Sequence, residues 1–177
     1  MLVAFAAACG EESPPAREPA VPPPVPVVEG DGIGCLRIGA SLAGLPAECR
    51  ILTDRTIPGP EGMPERRVEI LVGSDTVPVT VVGDSLWRAE LTAPGLRTAD
   101  GLAVGSSASE LLARPGSRVI GGEGRLFVTL ADHCGMSFEL GGVPREVLGL
   151  PPEAAAERIP PGTRVSRILV FGCEDQS

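Results

Sequence analysis

The chain of 177 residues contains no tyrosine and no lysine, and it has a single tryptophan and a single histidine. Its formal net charge is −8 and it has no basic block, which argues against nucleic acid as a partner. No stretch approaches the roughly 18 consecutive apolar residues of a membrane-spanning helix. All fifteen basic residues are arginine. We attribute this bias to codon usage, so the arginine count by itself does not indicate phosphate recognition.

Familiar catalytic and cofactor motifs are missing as well. There is no Cys-x-x-Cys pair, and one histidine with scattered cysteines lacks the short spacings of a zinc site. The segment 39–43 lacks the second glycine of a nucleophile elbow, and the glycine-rich segment 29–34 matches neither a dinucleotide fingerprint nor a P-loop. We therefore predict no metal, no cofactor, no catalytic residues and a protein that is not an enzyme.

The first residues carry the clearest signal in the chain. An apolar run with small side chains, Leu2 to Ala8, leads directly to Cys9 and Gly10. This pattern resembles the end of a bacterial lipoprotein signal, in which the cysteine after the cut carries the lipid. We expect residues 1–8 to be a signal remnant, with the true start upstream because no basic residue precedes Cys9. Gly10 in place of Asp resembles default sorting to the outer membrane, with the protein facing the periplasm or the surface.

Residues 9–29 are rich in proline and poor in large apolar side chains. Such a segment stays extended and cannot bury a core, so we interpret it as a tether. Residues 30–177 remain for one globular domain. Contact with the membrane then occurs through the lipid on Cys9.

Four further cysteines form an even set, which predicts disulfides in an oxidising compartment: Cys35, Cys49, Cys134 and Cys173. Three pairings are possible. Cys134 opens one predicted strand and Cys173 closes another. In neighbouring antiparallel strands these ends lie side by side, which favours the pairs Cys134–Cys173 and Cys35–Cys49.

The domain shows an internal similarity at an offset of 66 residues, between 36–45 and 102–111. Each segment has an apolar strand end, a glycine, a serine suited to cap a helix, and leucines at helical spacing. Helices are predicted at 42–49 and 108–114, and a helical piece at 152–158. Alternating residues between turn signals predict the strands 67–73, 76–82, 86–92, 125–130, 135–140 and 164–173. The predicted fold class is α+β, with two repeated helix plus three-stranded antiparallel meander units in one domain, at about 32–92 and 95–173.

The repeated element at 38–45 and 104–112 is similar to the small α/β unit of the outer-membrane barrel-assembly lipoprotein, and to the tandem units of secreted β-lactamase inhibitory protein. The segment 97–105 also resembles an element of uncharacterised bacterial exported proteins. This resemblance implies two helix-plus-meander units. It transfers no inhibitory or assembly residues, because none match position by position.

Few side chains suggest a site. His133 beside Cys134 is a candidate pair for thiol chemistry, but neighbouring strand residues point to opposite faces, which favours a turn next to a disulfide. Trp87 and Arg88 form a candidate binding surface, because tryptophan is frequent at recognition hot spots. The two long segments without strand signals, 53–66 and 141–162, are further candidates.

We therefore expect a membrane-anchored extracytoplasmic lipoprotein that acts as a non-catalytic binding or scaffold module, with an envelope protein as candidate partner. Two alternatives stay open. One is an extracytoplasmic hydrolase or thiol enzyme that uses His133 and Cys134. The other is a protein inhibitor or an accessory of envelope assembly.

Overall fold

β-Hairpins dominate the computed structural model, which describes residues 25–59 and 62–173. The strands are β1 (Val27–Glu29), β2 (Gly32–Ile33), β3 (Leu36–Arg37), β4 (Arg50–Pro58), β5 (Pro64–Val72), β6 (Asp75–Val82), β7 (Ser85–Leu91), β8 (Arg97–Thr98), β9 (Arg118–Gly122), β10 (Arg125–Thr129), β11 (Met136–Gly141) and β12 (Arg164–Val170). The helices are α1 (Ala108–Leu112), α2 (Arg145–Leu148) and α3 (Pro152–Arg158), and a 3₁₀ turn covers Leu42–Gly44. Among these residues, no helix is long and apolar enough to cross a membrane.

The strands form two sheets. An antiparallel sheet has the order β4-β5-β6-β7-β12-β11-β10-β9, so that two four-stranded meanders meet where β7 pairs with β12. A smaller sheet has the order β3-β2-β1-β8, in which β1 and β8 run parallel. Strands therefore account for most of the regular secondary structure among the described residues, and the helices are short.

The predicted fold class, α+β with two helix plus three-stranded meander units, is wrong. The segment 42–49 contains Gly44 and Pro46, which disfavour a helix, and only the 3₁₀ turn forms there. The segment 53–66 is not irregular, since most of it belongs to β4 and β5. Its prolines led to the loop interpretation, but Pro58 ends β4 and Pro64 begins β5, where a missing N–H is tolerated.

The two similar segments nevertheless occupy matching places in the backbone. Gly39 donates its N–H to the carbonyl of Leu86 in β7 at 2.7 Å, and Gly105 donates to the carbonyl of Val165 in β12 at 2.8 Å. Both glycines have positive φ, 85° and 95°, a conformation that side chains with a Cβ rarely adopt. Each segment thus lies beside the last strand of one four-stranded meander.

Alternation in the strands explains where the core lies. Val68, Ile70 and Val72 of β5 are fully buried on one face of the large sheet, as the sequence pattern predicts. The smaller sheet, the 3₁₀ turn and all three described helices pack on this same face and share its apolar cluster. The predicted strands that correspond to β5, β6, β7, β10, β11 and β12 are confirmed, as is the helical piece at 152–158.

Some residues before the predicted boundary at residue 30 take part in the described fold. Val28 in β1 is buried in the core, and β1 pairs with β2 and β8. Cys9, the signal remnant and most of the predicted tether lie outside the described residues, so the lipidation of Cys9 remains a prediction.

Both disulfides are present with the favoured pairing. Cys35 and Cys49 join β3 to the start of β4, with Cα atoms 5.9 Å apart. Cys134 and Cys173 join the start of β11 to the end of β12, with Cα atoms 5.1 Å apart. The prediction that these cysteines form disulfides is confirmed.

Candidate functional site

The face of the large sheet opposite the core carries an open groove of about 910 Å³. No helix among the described residues covers this face, because all of them pack on the other side. Residues of β4–β7, β10 and β12 line the groove, together with the tip of the β4–β5 hairpin. This groove is the candidate site.

A β-bulge in β7 explains why two adjacent residues point into the groove. Thr80 of β6 pairs with Arg88, but Val81 pairs with Leu86, so Trp87 has no residue opposite it. A regular strand would send Trp87 and Arg88 to opposite faces, whereas a bulge turns both toward one side. The Arg88 guanidinium carbon lies 5.1 Å from the centre of the Trp87 ring, a cation–π contact. The two residues proposed from the sequence therefore lie together at the groove.

The groove also has an exposed apolar margin. Met63, Val82 and Trp87 line it, and their exposed fractions are 69%, 60% and 50%. In the described part of the chain, only Val25 among the other large hydrophobic side chains is exposed to half or more of its area. A cluster of exposed apolar side chains indicates a binding surface, whereas single exposed apolar residues are common on protein surfaces.

A buried carboxylate forms the polar floor of the groove. Glu90 is only 5% exposed, and three guanidinium groups contact it: Arg67 at 2.7 Å, Arg167 at 2.9 Å and Arg88 at 3.3 Å. Burial acts to raise the pKa of this carboxyl. The nearby arginines have the larger combined effect and hold its pKa below the ordinary value, so Glu90 is ionised.

A second carboxylate extends this network. Glu139 of β11 accepts from Arg167 Nε at 2.8 Å, and it lies 3.5 Å from Arg125 Nη1. Burial lowers the pKa of Arg167, but Glu139 and Glu90 raise it by more, so this guanidinium stays charged. Four arginines thus share two glutamates across β5, β7, β10, β11 and β12. The Nε atom of Arg88 is buried and has no hydrogen-bond acceptor in the described structure.

This network could not be read from the sequence. Glu90 and Arg167 are separated by 77 positions, and they meet only because β7 pairs with β12. A charged residue in an alternating strand predicts an outward face, which is correct here, but it does not identify the partner strand. The missed residues are Arg67, Glu90, Arg125, Glu139 and Arg167.

The histidine–cysteine candidate has a different environment. Cys134 is bonded to Cys173, so it holds no free thiol in this structure. The His133 ring is mostly buried, with Nδ1 2.8 Å from an Asp132 oxygen and Nε2 3.1 Å from an Asp100 oxygen. Both ring nitrogens are therefore engaged by carboxylates.

Asp100 is the centre of this second cluster, and the sequence did not reveal it. Its carboxylate accepts from the Thr98 hydroxyl at 2.5 Å and from Arg114, as well as facing His133. Burial acts to raise the pKa of Asp100, and these three hydrogen-bond donors lower it well below its ordinary range. The cluster joins the turn before β11 to the segment after β8, which indicates a structural role.

Of the two long segments that the sequence analysis proposed as binding surfaces, 141–162 packs on the core instead. The region 141–162 contains α2 and α3, whose Val147 and Ala155 are buried in the apolar cluster. The tip of the 53–66 segment does border the groove through Gly59 and Met63. Among the described residues, no group of three or more histidine, cysteine or acidic side chains could hold a metal ion.

Comparison with known proteins identifies a similar fold. No protein-family model and no curated protein sequence matches the chain. A structural match is the crystal structure of the uncharacterized protein YfeY from Escherichia coli, with a TM-score of 0.56 and 15% sequence identity. The match covers 82% of this chain and 99% of that one. The chain shares its fold with an uncharacterized protein. At this identity the likeness concerns the fold alone, and it gives no support to the barrel-assembly or β-lactamase inhibitor type.

Proposed function

We propose that this protein is a lipid-anchored, non-catalytic module of the cell envelope that binds a partner protein in the groove. The observation that carries the proposal is the position of Trp87, the chain's one tryptophan. A bulge holds this side chain half-exposed at the groove, with Arg88 stacked on it. Tryptophan is enriched at protein interfaces, because its large apolar ring gains contacts there that water does not supply.

The composition of the groove supports a protein as the partner. Aromatic residues and methionine are enriched in the centres of protein interfaces, and tryptophan and arginine are frequent among the residues that contribute most affinity. Trp87, Phe127 and Met63 line this groove together with Arg67 and Arg88. The buried network on Glu90 keeps the two arginines in place before binding, which lowers the entropic cost of association.

The proposed location rests on the cysteines. Two disulfides are typical of proteins outside the reducing cytosol. Cys9 follows a run of small apolar residues, and the proline-rich segment after it would hold the domain away from the lipid surface.

Anchoring is tested by fractionation of cells that produce the protein from its chromosomal gene. The wild type should sediment with the membranes, and Cys9→Ala should move to the soluble extracytoplasmic fraction. Cys35→Ala with Cys49→Ala is the matched control, because it removes cysteines without removing the lipid. Recovery of the wild type in the soluble fraction would contradict the anchoring proposal.

Binding is tested by photo-crosslinking in the native cells. The photoreactive residue p-benzoylphenylalanine is placed at Val82 on the groove margin. The control position is Leu52, an exposed apolar residue near the start of β4 that does not line the groove. We expect one protein to crosslink from position 82 and not from position 52. The crosslinked protein, once identified and purified, should bind the wild type at least about tenfold more tightly than Trp87→Ala. Equal binding to both would contradict the proposal.

A further inference from the structure

The guanidinium groups of the groove have donors to spare. Arg167 uses Nε, Nη1 and Nη2 on Glu90 and Glu139. By contrast, among the described residues Arg67 and Arg88 each contact one carboxylate, Glu90, and Arg125 makes only the long contact with Glu139. Each guanidinium presents five N–H groups, so these three arginines retain free donors at the groove surface.

The charge balance of the groove agrees with this count. Among the described residues, five arginines and three glutamates line it, and two further carboxylates, Asp54 and Glu139, pair with these arginines, in a chain whose formal net charge is −8. One of the glutamates, Glu90, is buried beneath the arginines. Another, Glu65, accepts a hydrogen bond from the Thr80 hydroxyl. The third, Glu123, lies in the turn between β9 and β10. With Asp54 and Glu139 included, the described groove is close to neutral, whereas the rest of the molecule carries the negative charge.

Building on the proposed protein-binding function, we infer that the partner presents an acidic segment to this groove. Its carboxylates contact Arg67, Arg88 and Arg125, and a neighbouring apolar side chain of the same segment covers Trp87. The arginines already bind carboxylates in this geometry, since Glu90 and Glu139 are their internal partners. A guanidinium with unused N–H groups can bind a second carboxylate, and such charge-assisted hydrogen bonds are among the stronger ones.

The groove favours a polypeptide over other anions. Inorganic phosphate would use the arginines and leave the apolar margin of Met63, Val82 and Trp87 in water. A lipid acyl chain needs an enclosed apolar cavity, whereas this groove is open and has Thr80 and Glu90 in its floor. A chain segment with alternating acidic and apolar side chains satisfies both parts of the surface.

The chain contains a direct reporter of this contact, because Trp87 is its only tryptophan and it has no tyrosine. Trp87 fluorescence is followed while a short peptide of alternating glutamate and leucine is added to the full-length protein. We expect a saturable change that weakens at high salt, because salt screens exposed charges. The same peptide with glutamine in place of glutamate should bind about tenfold more weakly.

A matched pair of variants locates the contact. Arg125→Gln removes a groove arginine whose one charged contact in the described structure is the long one with Glu139, so the fold should persist, and peptide affinity should fall about two- to fivefold. Arg55→Gln removes an exposed arginine paired with Glu69 outside the groove, and peptide affinity should not change. Circular dichroism verifies that both variants are folded.

The outcomes separate this inference from the proposed function. Two results would overturn the inference that the partner presents an acidic segment. One is equal binding of the glutamine and glutamate peptides, and the other is no saturable fluorescence change with the glutamate peptide. An equal response to inorganic phosphate or to phosphatidylglycerol vesicles would also overturn it. If a partner crosslinks at position 82 while the glutamate peptide fails to bind, the protein-binding function stands and only the acidic character of the partner is wrong.

Discussion

At the scale of single residues, Glu90 has the most demanding environment in the described structure. Its carboxylate is buried, and three arginines depend on it for charge compensation. Glu90→Ala would leave these cations facing one another, so we expect the free energy of unfolding to fall by about 3–5 kcal/mol. Chemical denaturation monitored by circular dichroism measures this loss.

Glu69→Ala is the matched control for that prediction. Glu69 lies on the same sheet face and pairs with Arg55, but both side chains are more exposed. Its loss should stay below about 1 kcal/mol, because exposed ion pairs contribute little. Similar losses for the two variants would mean that burial of Glu90 does not strengthen its dependence on the arginines.

Asp100 should make stability depend on pH. Its pKa in the folded protein lies below its ordinary value, so its contribution is complete at neutral pH and is lost as the pH falls below about 4. The difference in unfolding free energy between the wild type and Asp100→Asn should therefore be largest near pH 7 and shrink toward pH 2. Urea denaturation across this range measures the difference. A difference in unfolding free energy that stays constant with pH would contradict the lowered pKa of Asp100 in the folded protein.

At the scale of elements, the short helix α1 depends on its N-cap. The Ser107 hydroxyl accepts from the backbone N–H of Glu110 at 3.1 Å, and Leu111 of the helix is fully buried. Ser107→Ala should lower the free energy of unfolding by about 1 kcal/mol, because the backbone N–H of Glu110 loses its acceptor at the helix start. Ser107→Asp restores an acceptor and should recover most of this loss. Equal denaturation midpoints for all three proteins would contradict the role of the cap.

Six of the twelve described strands could be predicted at this scale, and some of the failures have specific causes. Alternating valine and isoleucine in β5 specified both the strand and its buried face. Proline at 58 and 64 suggested a loop, although each lies at a strand end where it is tolerated. The bulge at Trp87 was not predictable, because an extra residue in a ladder is defined only by the partner strand.

At the scale of the whole molecule, the disulfides constrain loops of different length. Cys134 and Cys173 are 39 positions apart, and Cys35 and Cys49 are 14 apart. A longer closed loop restricts the unfolded chain more. Removing the first bridge by paired serine substitution should therefore cost about 4 kcal/mol, and removing the second about 3 kcal/mol. Thermal and urea denaturation of the two double variants show which disulfide contributes more to stability.

A thiol count provides the accompanying control. In Cys9→Ala, thiol titration of the unfolded protein without reductant should detect no free thiol, because the remaining cysteines are bonded in pairs. A reactive thiol in this variant would contradict the pairing and would reopen the enzyme hypothesis for Cys134. A larger loss of stability for the shorter loop would contradict the entropic explanation.

The amino-acid sequence by itself determined the local properties: which residues alternate into strands, where glycine permits a turn, and which cysteines are available for pairing. These properties depend on neighbours within a few residues along the chain, so they can be predicted from one amino-acid sequence. The order of strands and the groove were decided only by the tertiary structure. Glu90, Arg67 and Arg167 meet because two meanders join at β7 and β12, and no local pattern encodes that distant contact.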